Sequence, residues 1–321
     1  MKDYPLISLV VPVYNTERFL EKSLASAIAQ DYPNLEILIL NNGSTDGSQV
    51  IIDKFANKDS RIVTYTIKHV ETVKESKDNC YYRAKGGWII TLDSDDVIAN
   101  NYVTELWNKH LLTSADIVTG RMVSVDLEGN VLGKLPIDSF DFNVLMDGKE
   151  ALSKTIKNWE FGMNGALIKR SCFNNLYINN PNCQFYTDEL DSRLFLFASK
   201  KVAFSKAEYY YTFNPNSTGK KLSWNKYKYK MSTRMGLLKI VENEYGKNST
   251  EYGSVIYQSL GVAYLAIKYF ASSKEKTKEQ KREFKQMSSK LLKAIDLKRL
   301  KLSTLVFFPI KWAEEMIIRL V

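Results

Sequence analysis

Short apolar stretches alternate with longer amphipathic stretches along the first hundred residues. The predicted elements are, in chain order, a strand at Leu6–Val13, a helix at Glu17–Gln30, a strand at Glu36–Leu40, a helix at Ser48–Asn57 and strands at Arg61–Ile67 and Trp88–Leu92. The first strand is nearly all apolar, as a strand covered on both faces should be, whereas the helices have apolar residues at helical spacing. This alternation predicts an α/β fold with a doubly wound, mostly parallel sheet.

The remainder of the chain changes character near residue 220. Short strands are predicted around 116–125, 165–169 and 201–213, with a helix at Glu189–Ser199. From about residue 222 the apolar spacing is helical, and a final segment, Thr304–Val321, is also apolar. We therefore expect an α/β domain over 1–218 and a helical region over 219–321.

Polar residues follow three of the predicted strands. These clusters are Tyr14-Asn15, Asn41–Gly47 and Asp93–Asp96. In a parallel sheet the carboxyl ends of the strands share one edge, where ligands bind. The three clusters therefore predict a binding site at that edge.

The acidic segment Asp93–Asp96, with the sequence DSDD, has the clearest chemistry. Its three carboxylates repel one another, so a cation or a set of strong donors is needed to neutralise them. Hard oxygen ligands suit Mg²⁺ or Mn²⁺, and such ions bridge substrate phosphates. The alternative is an acidic turn that caps the next helix.

The Asn41–Ser48 segment, NNGSTDGS, has the composition of a strand-to-helix turn. Gly43 and Gly47 permit tight backbone geometry, and Ser48 can cap the helix that follows. The side chains between the glycines can bind either the backbone or a ligand, and a solvated turn explains them equally well.

Composition excludes several classes of site. The chain has three cysteines without a CxxC motif and two histidines, which disfavours disulfide frameworks, cysteine zinc sites and His-rich metal centres. The N-terminal apolar run is too short for a signal peptide, and no apolar stretch reaches about 18 residues. We expect a cytoplasmic protein.

These segments together resemble the family 2 glycosyltransferases of the GT-A fold, of the type that builds bacterial polysaccharides and glycoconjugates. The resemblance rests on VVPVYNTERFLEKSLASAIAQDYPNLEILILNNGSTDGS, on the DSDD element and on DELDSRLFLFASKKVAF near 188–204. The run YYYTFNPNST, Tyr209 to Thr218, resembles the closing segment of that catalytic domain. The resemblance to this family implies a nucleoside diphosphate sugar as donor.

The resemblance also implies roles for individual residues. Donor-binding positions are Pro12, Tyr14, Glu17, Asn42, Ser44, Asp46, Lys77, Arg83, Asp93, Ser94 and Asp95. Asp95 and Asp96 are the implied ligands of a Mn²⁺ or Mg²⁺ cofactor. Lys77 and Arg83 are alternatives for the cation that faces the diphosphate, since the helix before DSDD departs from the family pattern.

Asp188 matches the acidic residue that serves the family as general base. An inverting single displacement needs such a base to deprotonate the acceptor hydroxyl. An N-cap of the predicted helix is the structural alternative for Asp188, and Glu189 and Asp191 remain alternatives for the base.

Asn42 is a second departure from the family pattern. The family usually has an acidic residue there, which pairs with the imide N–H of uracil. An amide oxygen still accepts a hydrogen bond, but without charge. A UDP-sugar stays the expected donor, with another base as an alternative.

Charge is divided unevenly along the chain. Residues 1–215 contain 23 Lys or Arg and 27 Asp or Glu, whereas residues 216–321 contain 22 and 9. The basic region is interpreted as a solvated helical face, as a nucleic-acid-binding surface, or as a peripheral contact with anionic lipid at the inner face of the plasma membrane. The apolar tail Leu297–Val321 favours the lipid contact, with packing on the catalytic domain or on a second subunit of a homodimer as its alternative. No recognised nucleic-acid motif accompanies the basic region, so we expect no nucleic-acid partner.

The sequence hypothesis is thus a metal-dependent, inverting glycosyltransferase. It would move a sugar from a nucleoside diphosphate, UDP first, to a glycan or lipid-linked acceptor. A nucleotidyltransferase is disfavoured because the first strand lacks a Gly-rich basic loop after it. A non-catalytic membrane- or nucleic-acid-binding protein on a decayed transferase domain is the remaining alternative.

Overall fold

The structure, a computed structural model, describes residues 4–157, 159–173, 187–214, 223–272 and 276–295. The chain forms two compact units. The first contains Met1–Asn180 and Asp191–Asn214, and the second contains Pro181–Leu190 and Pro215–Val321. The predicted boundary between residues 218 and 219 and the predicted segment Thr304–Val321 lie outside the described residues.

A mixed, ten-stranded sheet forms the first unit. The strands are β1 (Ile7–Val13), β2 (Leu35–Asn41), β3 (Ile62–Thr66), β4 (Trp88–Thr91), β5 (Val97–Ile98), β6 (Ile117–Val125), β7 (Val131–Leu135), β8 (Leu145–Asp147), β9 (Leu167–Lys169) and β10 (Lys201–Thr212). Their order is β3-β2-β1-β4-β9-β6-β10-β5, with β7 paired to β6 and β8 to β10. The first four strands are parallel, as are β6 and β10. The short strands β5, β7, β8 and β9 are antiparallel to their neighbours. The predicted mostly parallel α/β fold is confirmed.

Helices connect the strands and make up the second unit. They are α1 (Glu17–Ile28), α2 (Ser48–Ala56), α3 (Val73–Arg83), α4 (Tyr102–Thr113), α5 (Gly148–Lys157), α6 (Thr187–Ala198), α7 (Trp224–Tyr245), α8 (Thr250–Ser272) and α9 (Lys278–Ala294). A short 3₁₀ turn, Arg170–Phe173, follows β9. The elements predicted in the first hundred residues are all present, with ends that differ by one or two residues.

The position of β1 brings two of the polar clusters together. β1 is an apolar strand in the middle of the parallel set, where Leu9 pairs in register with Ile37 of β2 and Ile90 of β4. Its last residue, Val13, is level with Asn41, the last residue of β2. The loops after β1 and β2 therefore leave the sheet side by side.

Two predicted helix caps are wrong. Gly47, not Ser48, is the N-cap of α2, and the Asp46 carboxylate accepts the Ser48 backbone N–H at 3.0 Å. Helix α6 begins at Thr187, so Asp188 lies within its first turn and not at the N-cap. Helix α6 thus starts two residues before its predicted first residue, Glu189, whereas α2 starts at Ser48 as predicted.

The second unit is a helical unit with an aromatic core. Trp224 of α7, Phe270 of α8 and Phe284 of α9 are in mutual ring contact, with the two phenylalanines stacked at 4.3 Å. Helix α9 begins with a capping box between Thr277 and Gln280. Among the helices described here, none has the length and apolar content needed to cross a membrane.

Candidate active site

The loops after β1 and β2 are joined by hydrogen bonds in both directions. Backbone N–H groups of Asn15, Thr16 and Glu17 donate to Ser44 Oγ at 3.1 Å, Ser48 Oγ at 3.1 Å and Asp46 Oδ2 at 3.0 Å, respectively. In return, Thr45 N–H donates to Asn15 Oδ1 at 2.8 Å and Gly47 N–H to Glu17 Oε2 at 2.8 Å. We call these five hydrogen bonds the loop clamp. They join the two loops at the carboxyl ends of β1 and β2.

Three predicted donor-binding residues belong to this loop clamp. Glu17, Ser44 and Asp46 each use a side-chain oxygen to accept a backbone N–H of the neighbouring loop. Although partial burial alone would raise it, the pKa of Asp46 is lowered by hydrogen bonds from Ser48 and from the Glu17 backbone. In the structure, these three side chains therefore hold the loops after β1 and β2 together.

Tyr14 presents an aromatic surface at the same edge. It is 43% exposed and stacks on His69, with the ring centroids 4.1 Å apart and the planes 18° apart. His69 is held by a contact of its Nδ1 with the Asn42 backbone oxygen at 3.1 Å. Two stacked, solvent-accessible rings offer a platform for a planar or hydroxylated ligand.

The Asn42 side chain is turned into the protein. It is 4% exposed, donates from Nδ2 to the Val70 backbone oxygen at 3.0 Å and accepts the Val70 N–H on Oδ1 at 2.8 Å. An amide can make both bonds because it has a donor and an acceptor, whereas a carboxylate has only acceptors. Asn42 thereby joins the end of β2 to the loop after β3.

The acidic segment directly follows β4, as predicted. Asp93 forms an ion pair with Lys77 of α3 at 3.2 Å, and Lys77 is buried. Arg83, the other predicted cation, donates instead to the backbone and side-chain oxygens of Asn79. Of the two alternatives, Lys77 is therefore the one that contacts the acidic segment.

Asp96 is enclosed by the end of β10. It is 1% exposed, and its oxygens accept the Tyr209 hydroxyl at 2.8 Å and the Thr212 backbone N–H at 2.8 Å. The Tyr209 oxygen also accepts the Asp93 N–H at 3.2 Å. Tyr209 thus bridges the first and last residues of the acidic segment.

Negative charge is concentrated in this segment. Burial and the neighbouring carboxylates of Asp93 and Asp95 raise the pKa of Asp96 to about 8. Burial and the charge of Asp93 raise the pKa of Asp95 as well. Burial is the largest cause of both shifts and the repulsion between the carboxylates adds to it, and a bound divalent cation would favour the charged forms of both groups.

The two remaining residues predicted to bind the donor are Pro12 and Ser94. Pro12 is a strand residue of β1 in register with Leu40, and Ser94 is 6% exposed inside the acidic segment. No group of three or more His, Cys, Asp or Glu side chains is arranged to hold a metal within the part of the chain that the structure describes.

The three acids predicted as candidate bases differ in their surroundings. Glu189 is ion-paired with Arg234 of α7 at 2.8 Å, and Asp191 is 5% exposed. Asp188 lies in the first turn of α6, and its side chain lies outside the described residues.

Sequence reasoning missed the partners that organise the site. Tyr209 was grouped with the closing YYY run, but nothing in that run indicates that its hydroxyl meets Asp96. The role of Asn41, whose Oδ1 accepts the Ser44 N–H at 2.9 Å, was also missed. The Tyr209–Asp96 contact joins residues 113 positions apart that only the fold brings into range, whereas the Asn41–Ser44 contact is local and spans three residues.

Comparison with known proteins gives a consistent result. The sequence profile described as Glycosyl transferase family 2 matches residues 8–195. Glycosyltransferase GlyG of Streptococcus pneumoniae is 30% identical over 213 residues, which cover 64% of this chain and 70% of GlyG. A β-1,3-glucosyltransferase of Campylobacter jejuni, named for its GalNAc(5)-diNAcBac-PP-undecaprenol substrate, is 24% identical over 75% of each chain.

Two groups of solved structures share the fold. The crystal structure of S. aureus TarS 1–349 in complex with UDP-GlcNAc superposes with a TM-score of 0.65 at 16% identity, covering 98% of this chain and 88% of that one. This chain spans 53% of a longer TarS structure. Mannosyltransferase PcManGT from Pyrobaculum calidifontis, in complex with GDP-Man and Mn²⁺, gives a TM-score of 0.51 at 13% identity and covers 91% of this chain.

The GT-A architecture, the acidic segment at the sheet edge and the profile match over more than half of the chain agree with one another. The chain belongs to Glycosyl transferase family 2 and is a glycosyltransferase.

Proposed function

We propose that the protein is a metal-dependent, inverting glycosyltransferase that uses a nucleoside diphosphate sugar, with UDP as the expected nucleotide. The observation that carries the proposal is the acidic segment Asp93–Asp96, held at the sheet edge by Lys77 and Tyr209. The UDP-GlcNAc complex of TarS, which shares this fold, supports the choice of nucleotide.

Asp95 and Asp96 offer oxygen ligands of the type that a hard divalent cation prefers, and substrate phosphate and water would complete its coordination. The segment contains three carboxylates beside the Lys77 ammonium, and burial together with repulsion between neighbouring carboxylates raises the pKa values of Asp95 and Asp96. We assign Asp95 as the leading ligand of Mn²⁺ or Mg²⁺, because it lines an open cavity. Asp96, the other predicted ligand, would contribute from its buried position. When bound, the ion supplies charge compensation for the leaving diphosphate.

The chain's own residues would position the donor. Tyr14 and His69 offer a stacked surface for the base, since base–aromatic contact tolerates any nucleobase. Lys77, 10% exposed at its side chain, is fixed beside Asp93 and adds positive charge where a diphosphate would approach. The loop clamp keeps both loops in place without ligand.

Asp188 is our candidate for the general base. Asp188 matches the family motif in the sequence. The two alternative bases are less available to an acceptor, because Glu189 is ion-paired with Arg234 and Asp191 is buried. A base within reach of the acceptor hydroxyl contributes about 10²–10⁴-fold to the rate. Asp188→Asn should therefore reduce turnover by about that factor, whereas Glu189→Gln should retain most of it.

A donor screen tests the proposal directly. Purified protein is given UDP-GlcNAc, UDP-glucose, UDP-galactose or GDP-mannose with Mn²⁺, and nucleotide binding and release are measured with and without EDTA. We expect at least one donor to bind with Mn²⁺ and to be lost with EDTA, and the anomeric configuration of the product to be inverted. Binding of no donor would refute the proposal, and equal binding in EDTA would refute its metal dependence.

We further propose a glycan or lipid-linked acceptor and a peripheral contact with the cytoplasmic face of the membrane. Helix α8 exposes Tyr257 at 52%, Tyr264 at 36% and Leu265 at 47%, with Lys268 exposed on the same helix. The excess positive charge of residues 216–321 favours anionic lipid, and tyrosine is a common residue at lipid interfaces. The lipid-linked substrate of the Campylobacter relative supports this acceptor class.

Vesicle sedimentation separates a lipid contact from a simply solvated helix. The double variant Tyr257→Ser/Leu265→Ser should lose binding to phosphatidylglycerol vesicles, and wild-type binding should fall with salt. The matched control is Val50→Ser/Leu112→Ser, which removes apolar groups that are 72% and 83% exposed in the first unit. Equal binding by all three proteins would refute the α8 contact.

A further inference from the structure

A cavity of about 350 Å³ adjoins the acidic segment in the first unit. Its walls include Arg18, Phe19 and Lys22 of α1, Asp95 after β4, Asp126 at the β6–β7 turn and Tyr210 of β10. Sites for small ligands typically have volumes of about 300–1,000 Å³. The cavity is therefore large enough for a small ligand, and one of its walls is the proposed metal ligand.

The cations of this cavity are not neutralised by their own helix. Arg18 and Lys22 lie four residues apart on α1 and are both exposed. The two acidic residues near them on α1 have other partners. Glu17 accepts the Gly47 N–H, and Glu21 is ion-paired with Lys54 at 2.6 Å. Two donor-rich side chains thus project toward the cavity without an ion pair among the described residues.

The β6–β7 turn and Tyr210 form another part of the cavity lining, and hydrogen bonds within the protein hold them in place. The Asp126 carboxylate accepts hydrogen bonds from the backbone N–H groups of Glu128 and Asn130 at 3.0 and 2.8 Å. These bonds lower the pKa of Asp126, with the Asn130 side chain contributing most. The Tyr210 hydroxyl donates to Glu208 at 2.7 Å, which fixes the position of that ring. The turn and the ring therefore form a rigid wall.

The mixture of charges decides the class of ligand. Arg18 and Lys22 supply donors, whereas Asp95, Asp126 and Glu128 supply negative charge to the same cavity. A diphosphate in this cavity would meet the carboxylates of Asp126 and Glu128, which the cation proposed at Asp95 is not assigned to neutralise, and this is unfavourable. A sugar ring suits this lining, because its hydroxyls both donate to carboxylates and accept from cations, and its C–H faces can pack on Phe19 and Tyr210.

We propose that this cavity is the subsite for the acceptor sugar ring, with Arg18 and Lys22 donating hydrogen bonds to its oxygens. The proposal rests on the proposed function for its donor site. The acidic segment would then serve both ligands, since Asp93 contacts Lys77 while Asp95 lines the acceptor cavity. The sugar that is bound here would be uncharged, in keeping with the mixed lining.

Ligand-observed NMR tests the subsite with defined probes. The methyl β-glycosides of glucose, galactose and N-acetylglucosamine are mixed singly with wild type, Arg18→Ala/Lys22→Ala and the charge-matched control Lys58→Ala/Lys239→Ala. The control removes two exposed lysines, one outside the cavity in the first unit and one in the second unit. We expect saturation transfer to at least one glycoside, weakened about tenfold or more in the cavity variant and unchanged in the control.

Donor binding provides the second measurement. The Kd of the nucleotide sugar in Mn²⁺ should stay within about twofold of wild type in Arg18→Ala/Lys22→Ala. Three results would each overturn the subsite. They are no saturation transfer from wild type to any glycoside, equal saturation transfer from wild type and from the cavity variant, and a loss of donor binding alone in the cavity variant. If wild type binds a glycoside but no nucleotide sugar, the proposed function fails while the sugar cavity stands.

Discussion

The hydroxyl of Tyr209 donates a hydrogen bond of 2.8 Å to the carboxylate of Asp96, across 113 residues of sequence. The same oxygen accepts the Asp93 N–H, so one side chain of β10 holds both ends of the acidic segment. This contact connects the end of the catalytic sheet to the residues on which donor binding is proposed to depend.

Tyr209→Phe should therefore reduce both stability and donor affinity. It removes one of the two hydrogen bonds to the Asp96 carboxylate and the acceptor of the Asp93 N–H, at a cost of about 1–3 kcal/mol in the free energy of unfolding. Urea denaturation measures the loss. Tyr210→Phe is the matched control, because its hydroxyl bonds only to the partly exposed Glu208, and it should cost less. Equal effects of the two variants would contradict the bridging role.

Two neighbouring carboxylates should separate binding from folding. Asp95→Asn removes a like charge beside Asp93, so it should leave stability unchanged or raise it, while Mn²⁺-dependent donor binding falls at least about tenfold. Asp138→Asn, at a carboxylate whose side chain is 76% exposed, controls for the loss of charge. Unchanged donor binding in Asp95→Asn would contradict the metal assignment.

Asp96→Asn is expected to act in the opposite way. The amide can accept only one of the two hydrogen bonds from Tyr209 and Thr212, so stability should fall by about 1–3 kcal/mol. Urea denaturation of this variant, set beside that of Asp95→Asn, shows whether the buried carboxylate is part of the frame. Unfolding at the wild-type urea concentration would argue that it is not.

Asn42→Asp should destabilise the loop after β3. A carboxylate keeps the bond from the Val70 N–H but faces the Val70 carbonyl with an oxygen, which costs about 1–3 kcal/mol. Asn34→Asp makes the same chemical change at an exposed hydrogen bond to the Tyr4 carbonyl and should cost less. If the two variants unfold alike, the Asn42 pairing does not stabilise the fold.

Gly43→Ala should disturb the Tyr14–His69 pair. Gly43 has a φ of +69°, and a Cβ there would lie 2.8 Å from the His69 backbone nitrogen. We expect a loss of about 1–3 kcal/mol in stability and weaker donor binding. Gly129→Ala, at φ +92° in open space, controls for backbone strain alone, and Gly133→Ala for the added methyl group. Donor binding should be retained in both controls.

An ion pair at the end of α1 predicts a pH dependence. Asp59 contacts Arg61 at 2.6 Å, and Arg61 donates to the Gln30 backbone oxygen at 2.9 Å. The side-chain hydrogen bond from Arg61 lowers the pKa of Asp59 below its model-peptide value of 3.8. The stability that this pair contributes is thus complete above about pH 4 and is lost as the pH falls through the lowered pKa.

Asp59→Asn should lose that contribution. Its deficit in urea denaturation relative to wild type should be constant between pH 5 and 7, roughly, and should shrink as the pH is lowered toward 3. A deficit that is independent of pH would show that the Asp59 charge is not involved.

How far the sequence predicts this molecule depends on the range of the contact. The strands and helices of the first hundred residues follow from local apolar spacing, because each buries a continuous face in the sheet. The cluster at the strand ends follows from the parallel order. What local pattern cannot show is which polar group meets which, and Tyr209 and Asp96 illustrate this. Glu17, Ser44 and Asp46 illustrate it too, because their residue types suit a ligand and a neighbouring loop equally.

The loop clamp has a consequence for how phosphate can be bound. A helix N-terminus is a common anion site, because its first N–H groups lack partners within the helix. Around the start of α1 the N–H groups of Asn15, Thr16 and Glu17 already donate to Ser44, Ser48 and Asp46, and one of these acceptors is itself an anion. Thr16 is the N-cap and Glu17 the first residue of the helix, so the protein itself uses part of the donor capacity at this helix end. A diphosphate at this edge would depend on Lys77 and on the proposed divalent cation for charge compensation. Donor affinity is therefore expected to follow the concentration of that cation.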